Sequence, residues 1–213
     1  LARQALEAMH YSLIHQRLVA PQGRLLRSFS RRLGYLHTSQ TAVTIVRHWL
    51  SEGGLLGEIA ELSPLLLDVL INVAPVDPAT TLQAIKRGVN GNRSVELLSA
   101  SNPSRLRLVR LTRSIAYAPE FFEQCLDVLL AFARAEPEDT RTDPTGKVIA
   151  SLFTLYLSGT HATKSQRVDW IRKALGSNDA QLGAIGLKAL SSALESTHFS
   201  SHYEFEFGAR VRD

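Results

Sequence analysis

Apolar residues recur along this sequence at spacings of three and four, the period of an amphipathic α-helix. The clearest case runs from Pro119, a residue suited to the first turn of a helix, to about Ala135. Its apolar stripe is Phe122, Cys125, Leu126, Leu129, Leu130 and Ala133. The segment from about Ser104 to Ala116 carries a similar stripe of Leu108, Leu111 and Ile115. Only two residues separate these segments, which predicts an antiparallel helix hairpin.

A second hairpin is predicted further along the chain. Thr163 and Gln166 have the spacing of a capping box, and Gly176 suits the C-terminal end of the same helix. The buried stripe expected for this helix is Val168, Ile171 and Leu175. After a turn at residues 177–179, the next helix extends from about Ala180 to Thr197. It is expected to bury Leu182, Ile185, Ala189, Leu190 and Ala193.

Earlier parts of the chain have less regular stripes but the same helical period. Five helices are predicted there, over about Ala2–Leu18, Arg24–Tyr35, Thr41–Leu50, Pro64–Val73 and Ala79–Gly88. Strand-like alternation is confined to Tyr203–Phe207, which we interpret as an extended tail rather than an edge strand. The predicted fold class is therefore all-α.

Stacked helix hairpins of roughly 35 to 45 residues build the armadillo, HEAT and tetratricopeptide architectures, because a single hairpin cannot bury its apolar face. This sequence has no strict repeat period. We therefore predict an irregular α-solenoid of stacked antiparallel hairpins, with a compact helical bundle as the alternative. Residues 1–213 are expected to form a single helical-repeat domain with a sub-boundary near residues 90–103. Because the chain begins at Leu1, we expect it to be a fragment of a larger multidomain protein.

One polar segment, Glu136–Gly146, is predicted to be an exposed loop because it is acidic and contains prolines. Its end, Asp143-Pro-Thr-Gly-Lys147, partly matches a phosphate-binding loop. However, Arg141 stands where that motif has its leading glycine, and Val148 stands where it has its magnesium-binding hydroxyl. We interpret the segment as a loop that leads into a helix.

Composition limits the classes of protein to which the chain can belong. Apolar residues make up 45% and charged residues 21%, as in ordinary globular domains. The single cysteine, Cys125, rules out an intramolecular disulfide and lies on an apolar stripe, so we expect it in the core of a cytoplasmic protein. The longest apolar run, Val148–Leu157, is about half of what a membrane span requires. No membrane partner is therefore expected.

Candidate chemistry is sparse. His198 and His202 would share one face of a continuous helix and could share a metal, but a third ligand is missing and the helix is expected to end there. The other histidines have no cysteine or carboxylate arrangement beside them, and no nucleophile motif is present. We therefore predict no catalytic, cofactor-binding or metal-binding residue, no cofactor and no enzymatic activity.

The net charge of +4 is unevenly distributed. Between Leu1 and Tyr35, one acid, Glu7, stands against six arginines, Arg3, Arg17, Arg24, Arg27, Arg31 and Arg32. A second basic run is Arg105, Arg107, Arg110 and Arg113, which lacks interleaved aromatic residues and is interpreted as a solvated helix face. The predicted interaction surface is Arg24, Arg27, Arg31, Arg32, Arg107 and Arg110.

Four phrases are similar to the helical region C-terminal to the NTPase module of large bacterial STAND-type signalling and defence NTPases. They are WLSEGGLLGEI (49–59), INVAPVDPATTLQAI (71–85), LFTLYLSGTHATKSQRVDWIRKAL (152–175) and HFSSHYEFEFGARVRD (198–213). This resemblance implies a non-catalytic sensor or scaffold that binds a protein partner or other domains of its parent chain. The alternative is a nucleic-acid-binding helical repeat that uses the arginine-rich faces.

Overall fold

A computed structural model describes residues 2–14, 23–137, 144–156 and 158–195. Within these ranges every regular element is helical and no strand occurs, which confirms the predicted all-α class. Two single 3-10 turns, Ile59–Glu61 and Pro119–Phe121, accompany the α-helices. The α-helices are α1 Ala2–Ile14, α2 Gly23–Gly34, α3 Gln40–Leu50, α4 Pro64–Val73, α5 Pro78–Asn90, α6 Ser94–Leu98, α7 Arg105–Ile115, α8 Phe122–Arg134, α9 Pro144–Ser151, α10 Lys164–Leu175 and α11 Ala180–Leu194.

The chain divides into two compact units, and the division falls between Gly91 and Asn92. Helices α1 to α5 belong to the first unit and α6 to α11 to the second. The stacking of hairpins into a solenoid, and the organisation of residues 1–213 as one helical-repeat domain, stay predictions.

The first unit is organised around the pairing of α2 with α4 and of α3 with α1 and α5. Trp49 and Leu50 of α3 are fully buried, as are Leu70 and Val73 of α4. Three helices begin at side-chain caps, in which the oxygens of Ser39, Ser63 and Asp77 accept backbone N–H groups of the first turns of α3, α4 and α5.

The second unit contains both predicted hairpins, α7–α8 and α10–α11. Helix α9 packs against α7, α8 and α11 and so joins the two hairpins within one core. Phe153, just after α9, has aromatic contacts with Phe122 of α8 and Trp170 of α10. The predicted stripes of α7 and α8 are buried, including Cys125, and the predicted capping box at Thr163 and Gln166 is present.

The predicted core face of α10 is wrong. Val168 and Leu175 are 43% and 40% exposed, whereas Ile171 is buried together with Arg167, Trp170 and Ala174. Because Trp170 packs against Phe153, Val168 of the same helix points away from the core. The spacing of apolar residues cannot predict a buried face that includes an arginine. In α11 only Ile185 and Ala189 of the five predicted core residues are fully buried.

The predicted loop Glu136–Gly146 is wrong at both ends. The Glu136 side chain is only 8% exposed, and α9 already begins at Pro144, so that Thr145 is fully buried. Helix α11 ends at Leu194 rather than near Thr197. The predicted continuation of α1 to Leu18, His198, His202 and the Tyr203–Phe207 alternation lie outside the described residues.

Candidate interaction surface

Helix α2 places its arginines opposite its buried side. Leu26, Ser30 and Leu33 are buried, and the helix packs against α4. The exposed side carries Arg24, Arg27, Arg31 and Arg32, and the helix contains no acidic residue. This basic α2 face therefore has no neutralising charge from its own helix.

One of these four arginines has an acidic partner from α4. The Arg27 Nε donates to Asp68 Oδ2 at 2.6 Å, and both side chains are partly exposed. Arg24, Arg31 and Arg32 have no carboxylate partner within the described ranges, so they supply the uncompensated charge of the basic α2 face. Tyr35, directly after the helix, is 71% exposed beside them in sequence.

The second predicted basic run does not form one solvated face. On α7, Arg110 is exposed and Arg107 is half-buried, but Arg105 and Arg113 are buried. The interpretation of all four residues as solvated is therefore wrong for two of them. The structure places Arg107 and Arg110 in the second unit and the basic α2 face in the first.

The Arg105 guanidinium binds one carboxylate and two main-chain carbonyl oxygens. Its Nη2 lies 2.7 Å from Glu136 Oε1 and 2.6 Å from the Phe132 carbonyl oxygen, and its Nε donates to the Leu98 carbonyl oxygen at 3.0 Å. The side chains of Arg105 and Glu136 are 7% and 8% exposed. The arginine thus ties α7 to the end of α6 and the end of α8, which is a structural role.

Arg113 and Arg167 converge on the segment between α9 and α10. Arg113 Nη2 donates to the Ser158 carbonyl oxygen at 2.9 Å, and Arg167 Nη2 donates to the Ser158 hydroxyl at 2.8 Å. The two arginines are 2% and 6% exposed. The Arg167 Nη1 also donates to the Thr154 carbonyl oxygen at 3.2 Å. Sequence reasoning did not find Arg167, because its neighbours on the helix give no signal that it is buried.

A histidine of α1 joins a buried tryptophan of α3. Trp49 Nε1 donates to His10 Nδ1 at 2.9 Å, so this ring nitrogen of His10 is unprotonated. Burial, followed by the nearby His48 ring, lowers the pKa of His10 from its ordinary value. The arrangement favours a neutral His10 and contributes to the docking of α1 on α3.

Asp77 combines a helix cap with an ion pair. Its Oδ1 accepts the Thr80 backbone N–H at 3.0 Å, and its Oδ2 lies 2.6 Å from Arg47 Nε. Burial by itself would raise the pKa of Asp77, but the hydrogen bond from Thr80 and the Arg47 guanidinium more than offset it, and the pKa is lowered. Asp77 is therefore a structural carboxylate that stays ionised.

A cluster of three or more histidine, cysteine or carboxylate side chains suited to a metal ion is absent from the described ranges. In the same ranges, none of the helices combines the length and the apolar character needed to span a bilayer. A comparison with protein-family models, curated proteins and solved structures finds no match to this chain. The resemblance to STAND-type NTPases thus stays a prediction that rests on the quoted phrases.

Proposed function

We propose that this chain is a non-catalytic sensor or scaffold module of a bacterial signalling or defence protein and acts by binding an acidic protein surface. The bacterial signalling setting rests on the resemblance of residues 41–213 to the helical region of STAND-type proteins. An open reading frame that encodes a phosphate-binding loop upstream of Leu1 would support that setting.

The basic α2 face is the observation that carries the binding proposal. Three exposed arginines without a carboxylate partner in the described part of the chain form one charged side of a helix whose opposite side is anchored on α4. Guanidinium groups bind carboxylates in a bidentate geometry, and the folded helix fixes the backbone positions of these arginines before a partner binds. An acidic helix or loop of a partner, or of another domain of the parent chain, suits this surface.

Nucleic acid is the second candidate ligand, and one observation favours it. Tyr35, three positions after Arg32, is 71% exposed, so an aromatic ring and cationic groups occur together at the end of α2. Proteins that bind single strands combine positive charge with aromatic rings on which bases stack. The burial of Arg105 and Arg113 weakens this candidate, because it removes two cations from its second surface.

Fluorescence anisotropy distinguishes the two ligands. The full chain is titrated into labelled poly-glutamate peptide, single-stranded DNA and double-stranded DNA at several salt concentrations. The test variant is the double substitution Arg24→Glu with Arg31→Glu on the basic α2 face. The matched control is Lys164→Glu with Lys173→Glu, which makes the same charge change at two exposed positions of α10.

We expect the unchanged chain and the α10 control to bind the acidic peptide, and the α2 variant to bind it at least about tenfold more weakly, a loss of about 1.4 kcal/mol. Tight DNA binding that weakens steeply with salt would replace the protein-binding proposal with the nucleic-acid one. Equal loss of binding in both variants would show a general charge effect and would contradict the basic α2 face as the recognition surface.

A further inference from the structure

Two apolar side chains lie in one row on α2, beside its arginines. Leu25 and Phe29 are four positions apart and Arg32 follows three positions later, so these side chains neighbour one another along the helix. Leu25 is 57% exposed, whereas Leu26 and Leu33 of the same helix are buried. Leu25 and Phe29, the apolar α2 row, therefore include apolar surface that the packing of the first unit does not cover.

Phe29 is fixed in this row by a contact with α3. Its ring makes an edge contact with the buried Trp49, with the ring centroids 6.4 Å apart, and the side chain stays half-buried. A side chain that is already ordered loses little conformational freedom when a partner packs on it. Phe29 therefore extends the exposed surface of Leu25 with a fixed aromatic ring.

The row next to it is basic. Arg24, Ser28 and Arg31 follow one another at the same spacings of four and three. Arg24 and Arg31, together with Arg32, are the exposed arginines without a carboxylate partner in the described ranges. An apolar row beside a row of cations is complementary to a surface on which apolar residues lie beside carboxylates.

An amphipathic helix is the partner element that matches both rows. Helix side chains neighbour one another every three to four residues, so apolar and acidic rows on a partner helix can run beside the two rows of α2. Successive side chains of a strand point to opposite faces, so adjacent apolar and acidic residues of a strand cannot meet one surface together. The phosphate backbone of a nucleic acid offers charge but no apolar row for Leu25.

We propose that the partner of the basic α2 face is an acidic amphipathic helix of about three turns, the length of α2 itself. Its apolar residues pack on Leu25 and Phe29, and its carboxylates pair with Arg24, Arg31 and Arg32. This partner rests on the function proposed above and adds selectivity to it. The guanidinium groups attract any acidic segment, whereas the apolar α2 row favours segments that carry apolar residues beside their acids.

Fluorescence anisotropy of the full chain with two labelled peptides tests the apolar α2 row. Both are glutamate-rich helical peptides of equal length and charge. One carries leucines at three- and four-residue spacing, and the other carries glutamines at those positions, which keeps a similar helix propensity. The test variant is Leu25→Gln. The matched control is Leu187→Gln in α11, because Leu187 is 61% exposed and Leu25 is 57% exposed.

We expect the unchanged chain and Leu187→Gln to bind the leucine peptide about tenfold more tightly than the glutamine peptide, because binding removes the surface of Leu25 from water. Leu25→Gln should bind both peptides with the weaker affinity. Equal affinity of the unchanged chain for the two peptides would overturn the apolar contact and leave the proposed function in place. The same preference in Leu25→Gln would also overturn it, because the contact would then lie elsewhere. Binding of neither peptide would contradict the proposed function together with this partner.

Discussion

At the scale of single residues, the second unit is distinguished by arginines that lie inside it. Arg105, Arg113 and Arg167 all donate to main-chain carbonyl oxygens near helix ends or in loops, at distances of 2.6 to 3.2 Å. The long arginine side chain lets one residue donate to several carbonyl oxygens that have no partner within a helix. These arginines therefore fix the connections of the unit rather than its surface charge.

The buried pair of Arg105 and Glu136 is expected to be essential for stability. Glu136→Gln leaves the Arg105 charge buried without its partner, and such a loss costs about 3–5 kcal/mol. Urea unfolding followed by circular dichroism measures the change in the free energy of unfolding. Glu96→Gln, which breaks the exposed pair with Arg93, is the control and should cost less than about 1 kcal/mol. Equal costs for the two variants would contradict the structural role of Glu136.

Sequence reasoning identified the arginine run of α7 but assigned it the wrong environment. Leu108, Leu111 and Ile115 predict which side of α7 faces the core, and the structure confirms that side. Arg105 lies at the edge of this side, but Arg113 lies two positions from both Leu111 and Ile115 and therefore on the opposite side, where the spacing predicts solvent. The position of Glu136 decided the outcome for Arg105, and no local pattern indicates that residues 31 positions apart will meet.

At the scale of elements, two helix contacts depend on glycine because there is no room for a side chain. A Cβ atom at Gly34 would lie 2.3 Å from the Asn72 carbonyl oxygen of α4. A Cβ atom at Gly186 would lie 2.9 Å from the Ala174 Cβ of α10. The α2–α4 and α10–α11 contacts are thus close approaches.

Alanine substitutions should distinguish a glycine that is needed for close packing from a glycine that only lowers helix propensity. Gly34→Ala is expected to destabilise the chain by about 1–3 kcal/mol, because the backbone of α4 must move to admit the methyl group. Gly183→Ala in α11 meets nothing within 4 Å and should instead stabilise by about 0.5–1 kcal/mol. Denaturant unfolding of both variants checks the opposite signs, and destabilisation by Gly183→Ala would contradict the packing described for α11.

The cap of α5 makes a prediction about pH. Because the folded-state pKa of Asp77 is lowered, its contribution to stability is complete above the ordinary pKa of a carboxyl group, about 4, and is lost as pH falls through the lowered value. Asp77→Asn keeps a capping side chain but removes the charge. We expect the difference in unfolding free energy between this variant and the unchanged chain to shrink as pH falls below about 4, measured by urea unfolding. A difference independent of pH would show that the negative charge of Asp77 adds nothing to stability.

At the scale of the whole molecule, the division at Gly91 separates two units with their own buried residues. The first centres on Trp49, Leu50 and Leu70, and the second on Phe122, Phe132 and Phe153. All of the hydrogen bonds and ion pairs described above join residues within one unit. A unit with its own core has the main requirement for independent folding.

We therefore expect a fragment of the second unit, residues 92–207, to fold without the first unit. Circular dichroism should show a helical spectrum, and urea should unfold the fragment in one cooperative transition. The Glu136→Gln substitution should destabilise the fragment as it does the full chain. A fragment without a cooperative transition would show that residues 92–207 need the rest of the chain for stability.

The sequence by itself determined the all-α class and, to within a few residues, the bounds of α2 to α5, α7, α8 and α10, but it missed α6 and the start of α9. Helical spacing of apolar residues, the Thr163–Gln166 box and the turn residues act within a few positions of one another, so they can be recognised locally. The basic α2 face could also be predicted from the sequence, because that helix contains four arginines and no acidic residue.

Only the tertiary structure decided which arginines face solvent. Arg110 and Arg113 are three positions apart on one helix, yet Arg110 is exposed and Arg113 is only 2% exposed. Arg113 is buried because its guanidinium donates to the Ser151 hydroxyl and to the Ser158 carbonyl oxygen. A buried charge is stable only when distant groups supply its hydrogen bonds, and those groups meet only when the helices pack. For the same reason, Val168 and Leu175 lie at the edge of α10 while Arg167 lies inside.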